Sequence, residues 1–156
     1  MSDKVPAPTH AAPCACGRLR RASRALTQFY DDVMAEWGLR VTQFSLMRTL
    51  ARQGTARISD LARAYLLDRT AMTRTLDPLV ARGYVRIAPG RDARTREVTL
   101  TREGAAALDA AAGDWKRAQA AVTRRLGRER LDALVATLAD LESLHPDAAQ
   151  PAKEPS

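Results

Sequence analysis

Between Tyr84 and Leu100 the apolar residues change period, and this change constrains the fold more than any other feature of the chain. In YVRIA (84–88), Val85 and Ile87 alternate with polar neighbours, and in REVTL (96–100), Val98 and Leu100 do the same. A period of two marks a half-buried strand, because successive side chains leave a strand on opposite faces. The segment between them, PGRDART (89–95), is turn-rich and carries three charges. Two strands around such a loop read as a hairpin. Its tip is too polar for a core and richer in arginine than an ordinary turn.

On either side of the hairpin the period is that of a helix. Leu19, Ala22, Leu26, Phe29, Val33 and Trp37 mark a first helix from Cys14, closed by Gly38 in a left-handed cap. Thr42 is expected to cap a second helix, with Phe44, Met47, Leu50 and Ala51 inward, ending at Gln53-Gly54. Ser59 is expected to cap a short third helix with Leu61, Ala62, Tyr65 and Leu66 on one face. A tight connection at Leu67 leads to Asp68, the expected cap of a fourth. After the hairpin, Thr101 opens a long fifth helix striped by Leu108, Ala112, Trp115, Val122 and Leu126 and interrupted by Gln119. Gly127 breaks it, and Arg128–Leu144 forms a sixth with Leu131, Leu134, Val135, Leu138 and Leu141 on one side. Residues 1–13, with three prolines, read as a flexible arm, and residues 146–156 as a flexible polar tail.

The fourth helix has an unusual open end. In LLDRTAMTRTLDPLVARGYV (66–85), Met72, Leu76, Leu79 and Val80 can face a core. Arg69, Thr70, Ala71, Thr73 and Arg74 then look outward from the first turns. Pro78 removes the bond to the Arg74 carbonyl and is expected to bend or loosen the helix, but the apolar spacing continues to Val80.

Charge suggests what such a surface is for. The 156 residues are 46% apolar, enough for one domain with a core, and carry a formal net charge of +7 with a pI near 10.2. An anionic partner is implied: nucleic acid, an acidic membrane surface or an acidic protein. Lysine occurs only at 4, 116 and 153. Arginine, with its planar fork, favours phosphate and guanine edges, although a GC-rich genome alone also enriches it. Between Arg57 and Arg102 ten arginines face five acids, so this segment holds +5 of the total.

The chain is therefore read as mainly α with a small β-hairpin wing: a winged helix-turn-helix lobe (42–100) between terminal dimerisation helices (14–37 and 101–144), within one domain of 14–145. A second helix held across a short one pushes its N-terminal end into the DNA major groove. Small residues there let the backbone approach base edges, and Thr or Arg reads them. The wing reaches the neighbouring minor groove, whose negative channel attracts Arg. The long apolar stripes of the terminal helices call for a twin, which would match half-sites about one helical turn, ~10 bp, apart.

The chain resembles the MarR family of bacterial winged-helix regulators over about residues 17–144. The matching pieces are RVTQFSLMRTLA (40–51), ISDLARAYLLDRTAMTRTLDPLVARGYV (58–85) and RDARTREVTLTREG (91–104), above all Asp92-x-Arg94 followed by Leu100-Thr101. The resemblance implies an obligate homodimer that binds pseudopalindromic double-stranded operator DNA. It also implies a repressor, released by a small aromatic or phenolic anion or by thiol oxidation. On it Arg94 reaches into the minor groove, with Asp92 holding it by an ion pair and Arg91 beside it. Thr70, Ala71, Thr73 and Arg74 contact the major groove, and Arg69 touches phosphate or base. Thr42 and Ser59, read chiefly as caps, are also able to donate to phosphates. The run Arg18, Arg20, Arg21, Arg24 on the first helix reads mainly as a solvated face.

Cys14 and Cys16 are the only cysteines. Both lie near a helix start, where thiol reactivity is favoured, so they are candidate redox sensors. In a helix two such side chains point about 200° apart, so a bond between them requires unwinding, and a bond across the dimer is easier. His10 is nearby, but no ligand cluster supports a metal site. His145 lies near the other end, Asp31-Asp32 has no pocket argument, and there is no glycine-rich phosphate loop. No catalytic residue, metal or cofactor is expected. With neither an apolar run of membrane length nor an export signal core, the chain is expected to be cytoplasmic, associated with the nucleoid when bound to DNA. Two other readings remain: a thiol redox protein using Cys14 and Cys16, and a non-specific architectural DNA binder.

Overall fold

The computed structural model describes residues 14–92 and 94–149; the expected arm (1–13), His10, Ala93 at the hairpin tip and the end of the tail (150–156) lie outside the described residues. The order of elements is α1 (Ala15–Val33), α2 (Val41–Gln53), β1 (Thr55–Arg57), α3 (Ile58–Ala64), α4 (Arg69–Ala81), β2 (Val85–Pro89), β3 (Arg96–Leu100), α5 (Arg102–Leu126) and α6 (Arg128–Glu142). The fold is mainly helical with a small antiparallel sheet, as expected.

The hairpin registers Val85 opposite Leu100 and Ile87 opposite Val98. Val98 is fully buried and Val85 nearly so, which is why the alternation was visible. A further strand, β1, was not expected. It pairs Ala56 with Val98 in the order β1-β3-β2. Its last residue, Arg57, is also the N-terminal boundary of α3, so the sheet is joined directly to the helix-turn-helix.

The core is built from Phe44, Leu46, Met47 and Leu50 of α2, Leu61 of α3, Met72, Leu76 and Leu79 of α4, Val85 and Val98 of the sheet, and Leu108 and Ala111 of α5. Each leucine so buried stabilises the fold by about 1.5–3 kcal/mol. Val80, expected inward, is 40% exposed. Its position lies beside, not on, the face marked by Met72, Leu76 and Leu79. Ala51 is exposed as well, and Leu46 takes an inward place instead. Pro78 lies inside an unbroken α4.

Two expected caps are corrected. Thr42 lies inside α2, whose first amide, Val41 N, donates to Asp31 Oδ1 of α1 at 2.7 Å, while Gln43 Oε1 accepts from Arg40 N at 3.1 Å. Ser59 lies inside α3, which starts one residue earlier, straight from β1. Asp68 and Thr101 cap as expected, Asp68 Oδ1 accepting from Ala71 N at 2.7 Å and Thr101 Oγ1 from Gly104 N at 3.0 Å.

The first helix ends earlier than expected. After Val33 a 3-10 turn, Ala35–Trp37, leads to Gly38, which is left-handed at φ 60°. Polar ties then join this end to α5. Tyr30 Oη donates to Gln119 Oε1 at 2.6 Å, and Trp37 Nε1 donates to Asp114 Oδ2 at 3.1 Å. Gln119 interrupts the apolar stripe of α5 because it meets a tyrosine hydroxyl. Only Tyr30 is buried in α1 and only Leu131 in α6, among the described residues. Leu19, Leu26, Phe29, Leu134, Val135 and Leu141 are exposed in the protomer. Where a loose tail was expected, Pro146–Ala149 form a 3-10 turn against α3.

Candidate nucleic-acid interface

The N-terminal end of α4 is divided between a packed face and a more open one. Its packed face, Met72, Leu76 and Leu79, has no exposure at all. Arg69, Thr70 and Arg74 are exposed, and Ala71 and Thr73 are half-buried. The Thr73 hydroxyl donates to the Arg69 carbonyl at 2.9 Å, which leaves its oxygen lone pairs as acceptors. The cap at Asp68 fixes the first turn, so these side chains start from one backbone geometry.

The tip of the β2–β3 hairpin is a closed turn. Gly90 N donates to Thr95 O at 3.0 Å, and Thr95 N donates to Asp92 O at 2.8 Å. A Cβ on Gly90 would collide with Thr95 Oγ1, so a larger residue there requires the Thr95 hydroxyl, which donates to Asp92 O, to shift. Arg91, Asp92 and Arg94 are exposed. The expected Asp92–Arg94 ion pair is not formed. Asp92 Oδ1 instead accepts from the Arg94 backbone amide at 3.0 Å, a turn bond that leaves the guanidinium outside it.

Not every arginine counted in the basic segment faces outward freely. Arg63 pairs with Asp60 at 3.6 Å on the surface, a contact of small energy. Arg82, which charge alone assigns to the positive field, is engaged by the protein. Its Nη1 donates to Gly38 O at 2.6 Å, and its Nη2 donates to Trp37 O at 3.2 Å and Tyr84 Oη at 3.0 Å. Sequence reasoning missed this role; the signal available was only that Arg82 precedes the helix-closing Gly83.

The remaining candidates lie elsewhere. Thr42 and Ser59 are exposed, as are Arg18, Arg20, Arg21 and Arg24 on α1. Cys14 is exposed at the N-terminal boundary of α1 and Cys16 is exposed in its first turn, both as free thiols. Among the described residues no helix is long and apolar enough to cross a membrane.

This arrangement matches known proteins. The model of the MarR family matches residues 39–94, from the start of α2 to the wing tip. The transcriptional regulator MosR of M. tuberculosis, solved in complex with DNA, is 34% identical, with a TM-score of 0.79, over 88% of this chain and 100% of that one. The chain belongs to the MarR family. A curated relative, the HTH-type transcriptional regulator FarR of Neisseria gonorrhoeae, is 28% identical over 127 residues, 81% of this chain and 87% of FarR. NadR, solved with 4-hydroxyphenylacetate, is 27% identical, with a TM-score of 0.69, over 90% of this chain and 99% of that one. MarR-family proteins are DNA-binding transcription regulators, and this member is not an enzyme, which removes the reading of Cys14 and Cys16 as a catalytic redox pair.

Proposed function

We propose that this MarR-family regulator is a homodimeric, cytoplasmic repressor of a pseudopalindromic operator. In this reading Arg69, Thr70, Ala71, Thr73 and Arg74 meet the major groove, and Arg91 and Arg94 meet the minor groove, with Asp92 shaping the tip. The observation that carries the reading is the division of α4: one face without exposure, and the opposite face of its first turns small and basic, with Arg69, Thr70 and Arg74 exposed. The dimer is supported by Leu26 of α1 and Leu134 and Val135 of α6, 45%, 42% and 58% exposed in one protomer. Such apolar surface on both terminal helices calls for a cover. Selection of duplexes from a random library, with competition by unrelated DNA, tests specificity. An enriched two-fold-symmetric sequence that unrelated DNA displaces poorly is expected. Equal competition would mean the architectural, non-specific reading. Sedimentation of Val135→Glu against wild type tests the dimer; a monomeric variant is expected, and an unchanged species contradicts it.

Release by a small aromatic acid is supported by the ligand of NadR. Release by oxidation is supported by the exposure of both thiols at the helix start. Peroxide takes one thiol to a sulfenic acid with loss of water, and a second thiol, Cys16 or one across the dimer, displaces a second water to form a disulfide. Gel shifts with an aromatic acid, and with peroxide followed by reductant, separate the two. Full retention of the complex in every arm rejects both.

A further inference from the structure

Arg82 closes the recognition helix, and its guanidinium, though on the exposed surface, is bonded to acceptors of the protein itself. Three of its N–H groups are bound: to the carbonyls of Trp37 and Gly38, between α1 and α2, and to the Tyr84 hydroxyl at the root of the wing. The same group lies 4.6 Å from the centre of the Tyr84 ring, a cation–π contact. The planar fork is what allows one side chain to span these acceptors.

Trp37 is held from its other side as well. Its indole donates to Asp114 Oδ2, and Asp114, 7% exposed, is paired with Arg117 at 2.7 Å. The root of the wing is fastened to α5 independently: Thr101 N donates to Tyr84 O at 3.0 Å, and Thr101 Oγ1 donates to Gly83 O at 2.6 Å. A continuous path of polar contacts therefore runs from the middle of α5 through Asp114, Trp37 and Arg82 to the end of α4 and the start of β2.

We propose that Arg82 is a positioning residue for operator reading: it sets where α4 and the wing stand relative to α5, and makes its contribution to specificity without touching DNA. The inference rests on the operator-reading surface proposed above. Loss of this brace leaves the phosphate-facing charge intact but disturbs the register in which bases are read.

The test uses Arg82→Lys, which keeps the charge but cannot span three acceptors, against a duplex selected by the wild-type protein and a random duplex. Affinities are measured on the active fraction at several salt concentrations. The expected result is about tenfold weaker binding to the selected duplex, with random-duplex affinity and salt slope unchanged. Wild-type affinity for the selected duplex overturns the proposal. So does an equal loss on both duplexes with a slope lower by about one, which marks a direct phosphate contact. If Arg82→Lys does not fold, Trp37→Phe, which breaks the path at Asp114 and leaves Arg82 in place, is expected to lose selectivity in the same pattern, and unaltered selectivity overturns the proposal. If the wild-type protein enriches no sequence, the operator reading falls and this inference with it; if only the variants match wild type, this inference alone falls.

Discussion

Asp92 accepts a hydrogen bond from the backbone amide of Arg94, 3.0 Å away, and not from its guanidinium. The acid of the Asp-x-Arg pattern is thus a turn-former, and its charge is incidental to its bond. Asp92→Asn keeps an acceptor oxygen in the same place and is expected to bind operator DNA within about twofold of wild type. Asp92→Ala loses the turn bond, worth about 1 kcal/mol, and is expected to bind several-fold more weakly. Equal weakening by both substitutions in an anisotropy titration would return the charge to the central role.

Asp68 fixes the first turn of α4 through Ala71 N. Asp68→Ala is expected to lower stability by about 1 kcal/mol, read from the midpoint of urea unfolding. A midpoint unchanged within error would show that water replaces the cap without penalty.

Which caps were legible in the sequence follows from where their partners lie. Asp68 and Thr101 bond to amides three residues on, so type and spacing reveal them. The first amide of α2, Val41 N, is satisfied by Asp31, ten residues away on another helix, and no local rule finds that partner. The strand β1 was hidden for a similar reason: three residues carry no period, and only pairing with β3 makes them a strand. On α4 the exposed residues of the candidate interface were legible from periodicity, because one face packs completely. Arg82 was not, because charge counts do not reveal whether a guanidinium is already occupied by protein carbonyls.

Gly104 lets α5 approach the root of the wing, since a Cβ there would collide with the Tyr84 carbonyl. That carbonyl also accepts from Thr101 N, so it is not free to move away. Gly104→Ala is expected to destabilise the protein by about 1–3 kcal/mol, despite alanine being the better helix former. A rise in thermal midpoint would contradict the close approach.

Burial raises the pKa of the Tyr30 hydroxyl above the ordinary tyrosine value of 10.0. Below 10.0 the hydroxyl is protonated in folded and unfolded chains alike, and its bond to Gln119 contributes in full. As pH rises above 10.0 the unfolded chain loses this proton first, so the contribution shrinks and is lost as the pH passes the raised folded value. The stability advantage of wild type over Tyr30→Phe is therefore expected to be about 1 kcal/mol near neutrality and to decline in alkali. A constant difference in urea unfolding across that range would contradict it.

The most direct test of the whole account is the salt dependence of DNA binding by Arg94→Ala. An arginine at the minor groove releases counterions when it binds, so its loss is expected to weaken operator binding and lower the slope of log affinity against log salt by about one. A variant with wild-type affinity and slope would show that the wing tip does not touch DNA, and the proposed interface would have to be abandoned.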